Sequence, residues 1–240
     1  MNKSISILMP IYNGIEFIEE SISTIKYQTY KNWELIIGIN GYDANSAVYE
    51  IAKKYESINN TNNTNNTINK IRVYDLVGIK GKSNALNKML EYCNYDWIAL
   101  LDVDDKWLPK KLESQMPYMN EYDVIATQCK YFGDSTTIPY IPPGDITANN
   151  FNFLQSNPII NSSVLLKKEL CYWDENWDGV EDYDLWLKLW QQSKKFYNVK
   201  GVQVMHRIHR ASAFNANGNN LKVKDLLNKY QPLAMSLYRR

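Results

Sequence analysis

Residues 5–41, ISILMPIYNGIEFIEESISTIKYQTYKNWELIIGING, carry two hydrophobic periods in succession. Residues 5–10 form a short continuous apolar run stopped by Pro10, the pattern of a buried strand. Ile15, Ile18, Ile22 and Ile25 then recur at helical spacing, with glutamates on the other face. Asn13 stands where a helix cap is expected. Residues 33–39, WELIIGI, are a second apolar run of strand length. The alternation continues along the chain. Residues 44–55 read as a helix, 71–76 as a strand, 82–93 as a helix and 96–102, DWIALLD, as a fourth strand. Strands alternating with helices predict an α/β fold built on a mostly parallel sheet. Ligands of such sheets gather at the carboxyl ends of the strands. Residues 10–13, 40–43, 78–82 and 102–105 all fall there and are expected to converge.

The second half changes character. Residues 122–131 read as a strand followed by a loop rich in Pro and Gly, and 161–170 as a strand and a turn of helix. Residues 180–192, VEDYDLWLKLWQQ, form a strong amphipathic helix that turns Leu185, Leu189, Trp186 and Trp190 inward. Residues 195–199 and 201–209 read as two late strands, and 221–238 as a last amphipathic helix. No linker divides the halves, so one fused domain is expected. Residues 58–69, INNTNNTNNTIN, are polar and aperiodic and read as a mobile surface loop.

Composition narrows the function. The chain has 240 residues, enough for a real core, and a net charge of +1. Near-neutrality removes the electrostatic case for nucleic acid, which needs a clustered basic surface. Three separated cysteines without a CxxC pair argue against a disulfide framework. The opening residues lack a signal-peptide pattern, and no run approaches the ~20 apolar residues of a membrane span, so a cytoplasmic location is expected.

The chemistry concentrates in residues 98–109, IALLDVDDKWLP, where an apolar run ends in Asp102, Asp104 and Asp105. Residues two apart in an extended segment project to the same side. Adjacent carboxylates are unfavourable unless one is protonated or a cation lies between them. Oxygen donors suit Mg²⁺ or Mn²⁺, which fill their shells with water and substrate phosphate. The other reading of Asp105 is a cap for a helix beginning near Leu108.

Five segments together resemble the family 2 glycosyltransferases. Residues 5–41 are similar to the family's opening strand, P-x-YN turn, helix ending in Q-T and second strand. GKSNALNKML is similar to the segment around its basic residue and A-x-N. DWIALLDVDDKWLPKKLESQ resembles its D-x-D block, VEDYDLWLKL its E-D block, and MHRIHRAS its closing Y-R-x-H-x-x-S. The resemblance spans residues 5–212. It implies a GT-A fold, a mixed, mostly parallel sheet flanked by helices. It further implies a domain over 1–212, with a nucleotide-binding half at about 1–105 and an acceptor-side half at about 106–212, followed by an amphipathic helix over 213–240.

The activity implied is inverting, metal-dependent transfer from a nucleotide diphosphate sugar, a UDP-sugar favoured, to an acceptor hydroxyl in glycan or polysaccharide synthesis. By position, Asp104 binds Mn²⁺ or Mg²⁺ and His209 is a second ligand. Asp102 reaches the ribose or the metal's water shell, and Lys82 the base or phosphates. Pro10, Tyr12 and Asn13 line the nucleoside pocket. Asp182 is the base that deprotonates the acceptor, and Glu181 contacts that acceptor. Trp177 offers a flat face to a sugar; core packing is the other reading of it, as of Trp173. The chain departs from the family at INGY, where Ile39 and Asn40 replace two acids near the nucleobase; Asn40 can both donate and accept there. Expected partners are the nucleotide-sugar donor and a glycan, glycoprotein or lipid-linked acceptor. The basic last helix, with Lys222, Lys224 and Lys229, offers a face for a membrane surface or a second subunit. The alternatives are an inactive nucleotide- or carbohydrate-binding relative and another sugar-nucleotide enzyme such as a nucleotidyltransferase.

Overall fold

The computed structural model describes residues 3–57, 70–147, 150–209 and 219–237, with side chains as far as residue 231. The polar insert at 58–69 and the end of the MHRIHRAS segment lie outside them. Strand β1 (Ile5–Ile11) runs parallel to β2 (Trp33–Asn40), and β2 runs parallel to β3 (Lys70–Leu76). On its other side β1 pairs in parallel with β4 (Trp97–Leu100). Helices α1 (Ile18–Lys26), α2 (Ala47–Lys53) and α3 (Lys82–Leu90) connect them. The predicted βαβ repeats are therefore present, in the order β3-β2-β1-β4.

The sheet continues without a break into the second half. After the two-residue β5 (Lys106–Trp107) and α4 (Lys111–Gln115) come β6 (Val124–Gly133), β7 (Gly144–Asp145) and β8 (Leu165–Lys167). Helix α5 (Glu181–Gln191), β9 (Phe196–Ile208) and α6 (Asn219–Leu237) complete the chain. β8 pairs antiparallel with both β4 and β6, and β6 runs parallel to β9 over ten residue pairs. Each face of the sheet carries a core drawn from both halves. One joins Leu8 and Ile36 to Trp186 and Phe196; the other joins Ile5 and Leu35 to Val199 and Val204.

Three local expectations are corrected. The two late strands are one. β9 passes through an irregularity opposite Thr127 and Gln128, where Gly201 (φ 106°) donates its N–H to Gln128 Oε1 at 2.9 Å. The polar Lys200-Gly201 break reads as a strand end but is a bulge that bends a continuous strand. Asn13 does not cap a helix: the turn Ile15–Phe17 starts from Gly14, which holds φ 85° and lets the chain reverse. Asp105 is not a cap either, because α4 begins six residues later with no side-chain cap.

α5 is buried nearly all round; Leu185, Trp186, Leu187, Leu189 and Trp190 are each at most 1% exposed. α6 covers its remaining side through Leu226 and Tyr230, and Lys229 Nζ and Tyr230 Oη each reach Asp184 Oδ1 at 2.8 Å. None of the described helices is long and apolar enough to cross a membrane.

At the amino-terminal ends of the parallel strands, Glu34 is buried and accepts four bonds. They come from Ser6 Oγ, Asn94 N, Asn94 Nδ2 and Arg72 Nη2, each at 2.7 Å. Removing one partner of a buried ion pair strands the other charge. Arg72→Ala is expected to cost about 3–5 kcal/mol in urea unfolding, because it leaves the Glu34 carboxylate buried without its cation.

Candidate active site

β4 leaves β1 on the side opposite β2, so strand order reverses between β1 and β4. A crevice outside the strand ends is expected at such a point. Asp102 lies two residues beyond β4. Its N–H donates to Ser162 Oγ at 3.0 Å, and its carboxylate accepts Lys82 Nζ at 2.7 Å and Asn161 Nδ2 at 3.3 and 3.2 Å. Lys82 is the first residue of α3. Gly81 before it holds φ 83°, and a Cβ there would lie 1.9 Å from Asp178 Oδ2. Only glycine fits this approach. Asp178 uses it to accept the Ser83 N–H at 2.8 Å, capping α3 from 95 residues away.

The same lysine reaches α5. Glu181 Oε1 is 3.5 Å from Lys82 Nζ, while Glu181 Oε2 accepts the Gly179 N–H at 2.7 Å. Lys82 thus joins the end of β4 to the start of α5. Burial opposes its charge, but Asp102 and Glu181 outweigh that and hold the ammonium above the usual lysine range. Asp102 is the counterpart: burial raises its pKa, Lys82 and Asn161 lower it, and it ends below the usual carboxylate range. Among the described residues, Asp182, one residue past Glu181, has no cation in contact. Burial and the Glu181 charge raise it to about 7 against the partial relief of Lys82 and the Tyr183 N–H.

The three acids of the D-x-D block separate. Asp104 Oδ2 lies 3.0 Å from His209 Nε2; burial and the charges of Asp105 and Asp102 raise its pKa, and the His209 bond opposes them. Asp105 is fully buried beneath it, accepting the Arg207 N–H at 2.8 Å and facing His206 Nδ1 at 2.9 Å. Burial disfavours the His206 imidazolium, yet Asp105 overrides that and lifts it to about 9. Arg207 donates from Nε to the Asp104 carbonyl at 2.8 Å and pairs with Glu20. Its guanidinium lies between the rings of Phe17 and Phe132, at 4.2 and 4.3 Å.

Beside Lys82 a cavity of about 320 Å³ is lined by Tyr12, Asn40, Gly41, Lys80, Gly81 and Lys82. Tyr12 is 57% exposed, its ring against Gly41 and 5.8 Å from the Tyr42 ring. Asn40 is buried, its Nδ2 3.4 Å from the Gly81 carbonyl. Pro10, half-buried within β1 opposite Gly38, and the exposed Asn13 lie outside this lining. Trp177 closes a short turn before α5, partly buried against the core, with Lys229 Nζ 4.8 Å above its ring. Trp173 is fully buried.

No group of three or more His, Cys, Asp or Glu capable of holding a metal occurs among the described residues. The Asp104–His209 pair fits a divalent ion that brings much of its own shell. Both side chains are about a quarter exposed, they offer one oxygen and one nitrogen, and the crowded Asp104 carboxylate gains from a cation.

The mixed, mostly parallel sheet flanked by helices is the GT-A fold of glycosyltransferases. The Glycosyl transferase family 2 model matches residues 6–168, and the chain belongs to that family. It is 29% identical over 223 residues to the O-antigen biosynthesis glycosyltransferase WbnJ of Escherichia coli, covering 87% of this chain and 81% of that one. It is 30% identical over 191 residues to the E. coli UDP-Glc:alpha-D-GlcNAc-diphosphoundecaprenol beta-1,3-glucosyltransferase WfgD, covering 77% and 69%. Among solved structures, S. aureus TarS 1–349 in complex with UDP-GlcNAc superposes with a TM-score of 0.71 at 16% identity, over 95% of this chain and 66% of that one. Mannosyltransferase PcManGT from Pyrobaculum calidifontis, in complex with GDP-Man and Mn²⁺, gives 0.62 at 14% identity, over 98% and 74%.

Sequence reading missed Asp178, Asn161, Ser162 and the Asp105–His206 pair. Each acts across 59 to 101 residues of chain, so no local spacing signals it. The two histidines, separated by three positions, sort onto two different acids because β9 delivers them to different depths.

The environment of Asp182 fixes a stability effect. Between the unfolded value of 3.8 and the folded value of about 7, the folded chain holds a proton that the unfolded chain has lost. Stability from this group is therefore lost as pH rises through that window. Asp182→Asn removes the cost, and at pH 8 its Tm is expected to exceed that of the parent by about 2–4 °C, the shift that ~1 kcal/mol produces at this chain length. Below about pH 3, where both states hold the proton, the difference disappears.

Proposed function

We propose that the protein is a metal-dependent, inverting glycosyltransferase that transfers a sugar from a UDP-sugar to a hydroxyl of a growing polysaccharide or lipid-linked glycan. The observation that carries the reading is Asp182, an acid raised to about 7 at the mouth of a crevice, beside a lysine that holds two other carboxylates. A carboxylate with that pKa is matched to taking a proton near neutral pH.

The nucleoside occupies the cavity formed by Tyr12, Asn40 and Lys82, flanked by Pro10 and Asn13 on the β1 end. Tyr12 supplies a face for the base, and Asn40 supplies a donor and an acceptor where the family usually has an acid. Asp102 receives the ribose hydroxyls. Asp104 and His209 hold Mn²⁺ or Mg²⁺, which when bound neutralises the diphosphate and stabilises it as a leaving group. Glu181 and Trp177 orient the acceptor. Asp182 takes the acceptor hydroxyl proton as that oxygen bonds to the anomeric carbon; the bond from that carbon to the diphosphate oxygen breaks, and the nucleoside diphosphate departs. One displacement inverts the anomeric configuration. The relatives support the donor and acceptor classes: WfgD is named for UDP-Glc and a diphosphoundecaprenol-linked sugar, WbnJ for O-antigen biosynthesis, and a TarS structure holds UDP-GlcNAc.

The test is turnover of a panel of UDP- and GDP-sugars with Mn²⁺, followed as nucleoside diphosphate release with and without a lipid-linked or oligosaccharide acceptor. Binding without release from any donor would make the protein a binding module instead. Asp104→Asn is expected to weaken Mn²⁺-dependent nucleotide binding at least ~10-fold. Asp182→Asn keeps donor affinity and loses about 10²–10⁴ in kcat. The wild-type kcat/KM rises with pH and levels off above about 7, where Asp182 is ionised; a flat profile from pH 5.5 to 8.5 would remove Asp182 from the role of base.

A further inference from the structure

Asp102 is gripped from two sides. Lys82 holds Oδ1 as a point charge, which by itself leaves the carboxylate plane free to turn. Opposite it, Asn161 Nδ2 lies almost equally far from both oxygens, at 3.3 and 3.2 Å, and Ser162 Oγ accepts the Asp102 N–H. These two residues belong to the short turn Asn161–Ser163, which is itself anchored from beneath. Three successive carbonyls each accept a side-chain donor: Ser162 from Trp107 Nε1 at 2.7 Å, Ser163 from Gln115 Nε2 at 2.9 Å, and Val164 from Lys111 Nζ at 3.1 Å. Trp107 ends β5, and Lys111 and Gln115 are the first and last residues of α4, four apart on one helix face. Lys111 is fully buried, its ammonium 4.0 Å over the Trp107 ring, and burial drives its pKa far down. Among the described residues its one acceptor is the Val164 carbonyl, so this bond both offsets the cost of burying the amine and ties it to the turn.

We propose that Asn161 is a positioning residue of the donor site, setting the orientation of the Asp102 carboxylate from a turn that Trp107, Lys111 and Gln115 hold rigid. The inference rests on the proposed role of Asp102 in donor binding. Function requires such a carboxylate to be held within about 0.5 Å of its productive place. Asn161 provides this with a neutral donor, so it orients the acid without adding charge to a region where Lys82 already pairs with both Asp102 and Glu181.

Asn161→Ala and Asn161→Asp separate this role from packing. Asn161→Asp keeps the side-chain shape but replaces the amide donor with a carboxylate facing Asp102. With donor turnover as the assay and Mn²⁺ saturating, Asn161→Ala is expected to raise the donor KM about 10-fold, with kcat within ~2-fold. Asn161→Asp raises KM further, on the order of 100-fold. Calorimetric titration of each folded variant with UDP and Mn²⁺ follows the same order without depending on turnover. If Asn161 only packs, Asn161→Asp is the milder change, both variants show their effect in Tm, and the donor KM of the folded protein stays within ~2-fold of wild type; that result overturns the proposal. A wild-type protein that neither binds nor turns over any nucleotide sugar overturns the proposed function, and this inference with it. A wild-type protein that binds normally beside unaffected variants overturns the inference alone.

Discussion

The ion pairs of Lys82 are the constraint on which the site depends. Asp102 lies just beyond β4, Glu181 and Asp182 begin a helix almost 80 residues later, and Lys82, the first residue of α3, reaches both Asp102 and Glu181. Without a cation there, the acids would repel one another across a crevice whose walls exclude much of the solvent. With it, Asp102 and Glu181 each have a partner in the one ammonium, and the neighbouring charges raise the pKa of Asp104 and of Asp182. Those two acids are the ones to which the proposed function gives a metal and a proton.

The D-x-D block works by sending neighbouring acids to different partners. Asp102 turns to Lys82, Asp104 to His209 and Asp105 to His206. The two imidazoles come from the end of β9, which reaches the site because its bulge keeps it paired with β6 along ten positions. Arg207, between the histidines in sequence, points elsewhere and fastens the Asp104 backbone to α1 through Glu20. The outer carboxylate–imidazole pair is open to solvent and ligand, while the inner pair is a buried strut.

The parallel half of the fold was legible because its signal is local. In residues 5–41 the apolar period changes from that of a strand to that of a helix and back, and the observed β1, α1 and β2 follow those changes to within a few residues. The convergence of strand ends also followed, since parallel βαβ units bring successive carboxyl ends together. What local pattern does not carry is capping and depth. Asn13 and Asp105 are residue types that cap helices, but Gly14 supplies the backbone reversal and Asp105 is drawn inward by His206 and the Arg207 N–H. Residues 195–209 read as two strands because a bulge and a turn share the same polar Lys-Gly signature; only pairing with β6 distinguishes them.

The family match ends at residue 168, yet the proposed base lies at 182. The structure explains how the later segment is kept in register with the earlier one. α3 presents a row of polar side chains to residues 173–178. Asn87 exchanges two bonds with the Trp173 backbone, at 2.7 and 3.0 Å, Asn84 Nδ2 reaches Glu175 at 2.6 Å, and the Ser83 N–H reaches Asp178 at 2.8 Å. Lys82 completes the row on Glu181. From the far side α6 braces the same stretch, with Lys222 on the Asp178 carbonyl and Lys229 on Asp184. Residues 82–87 therefore serve the donor side at their first turn and locate the base along the rest. Glu181 and Asp182, the latter the proposed base, are thereby fixed relative to the parallel half of the sheet.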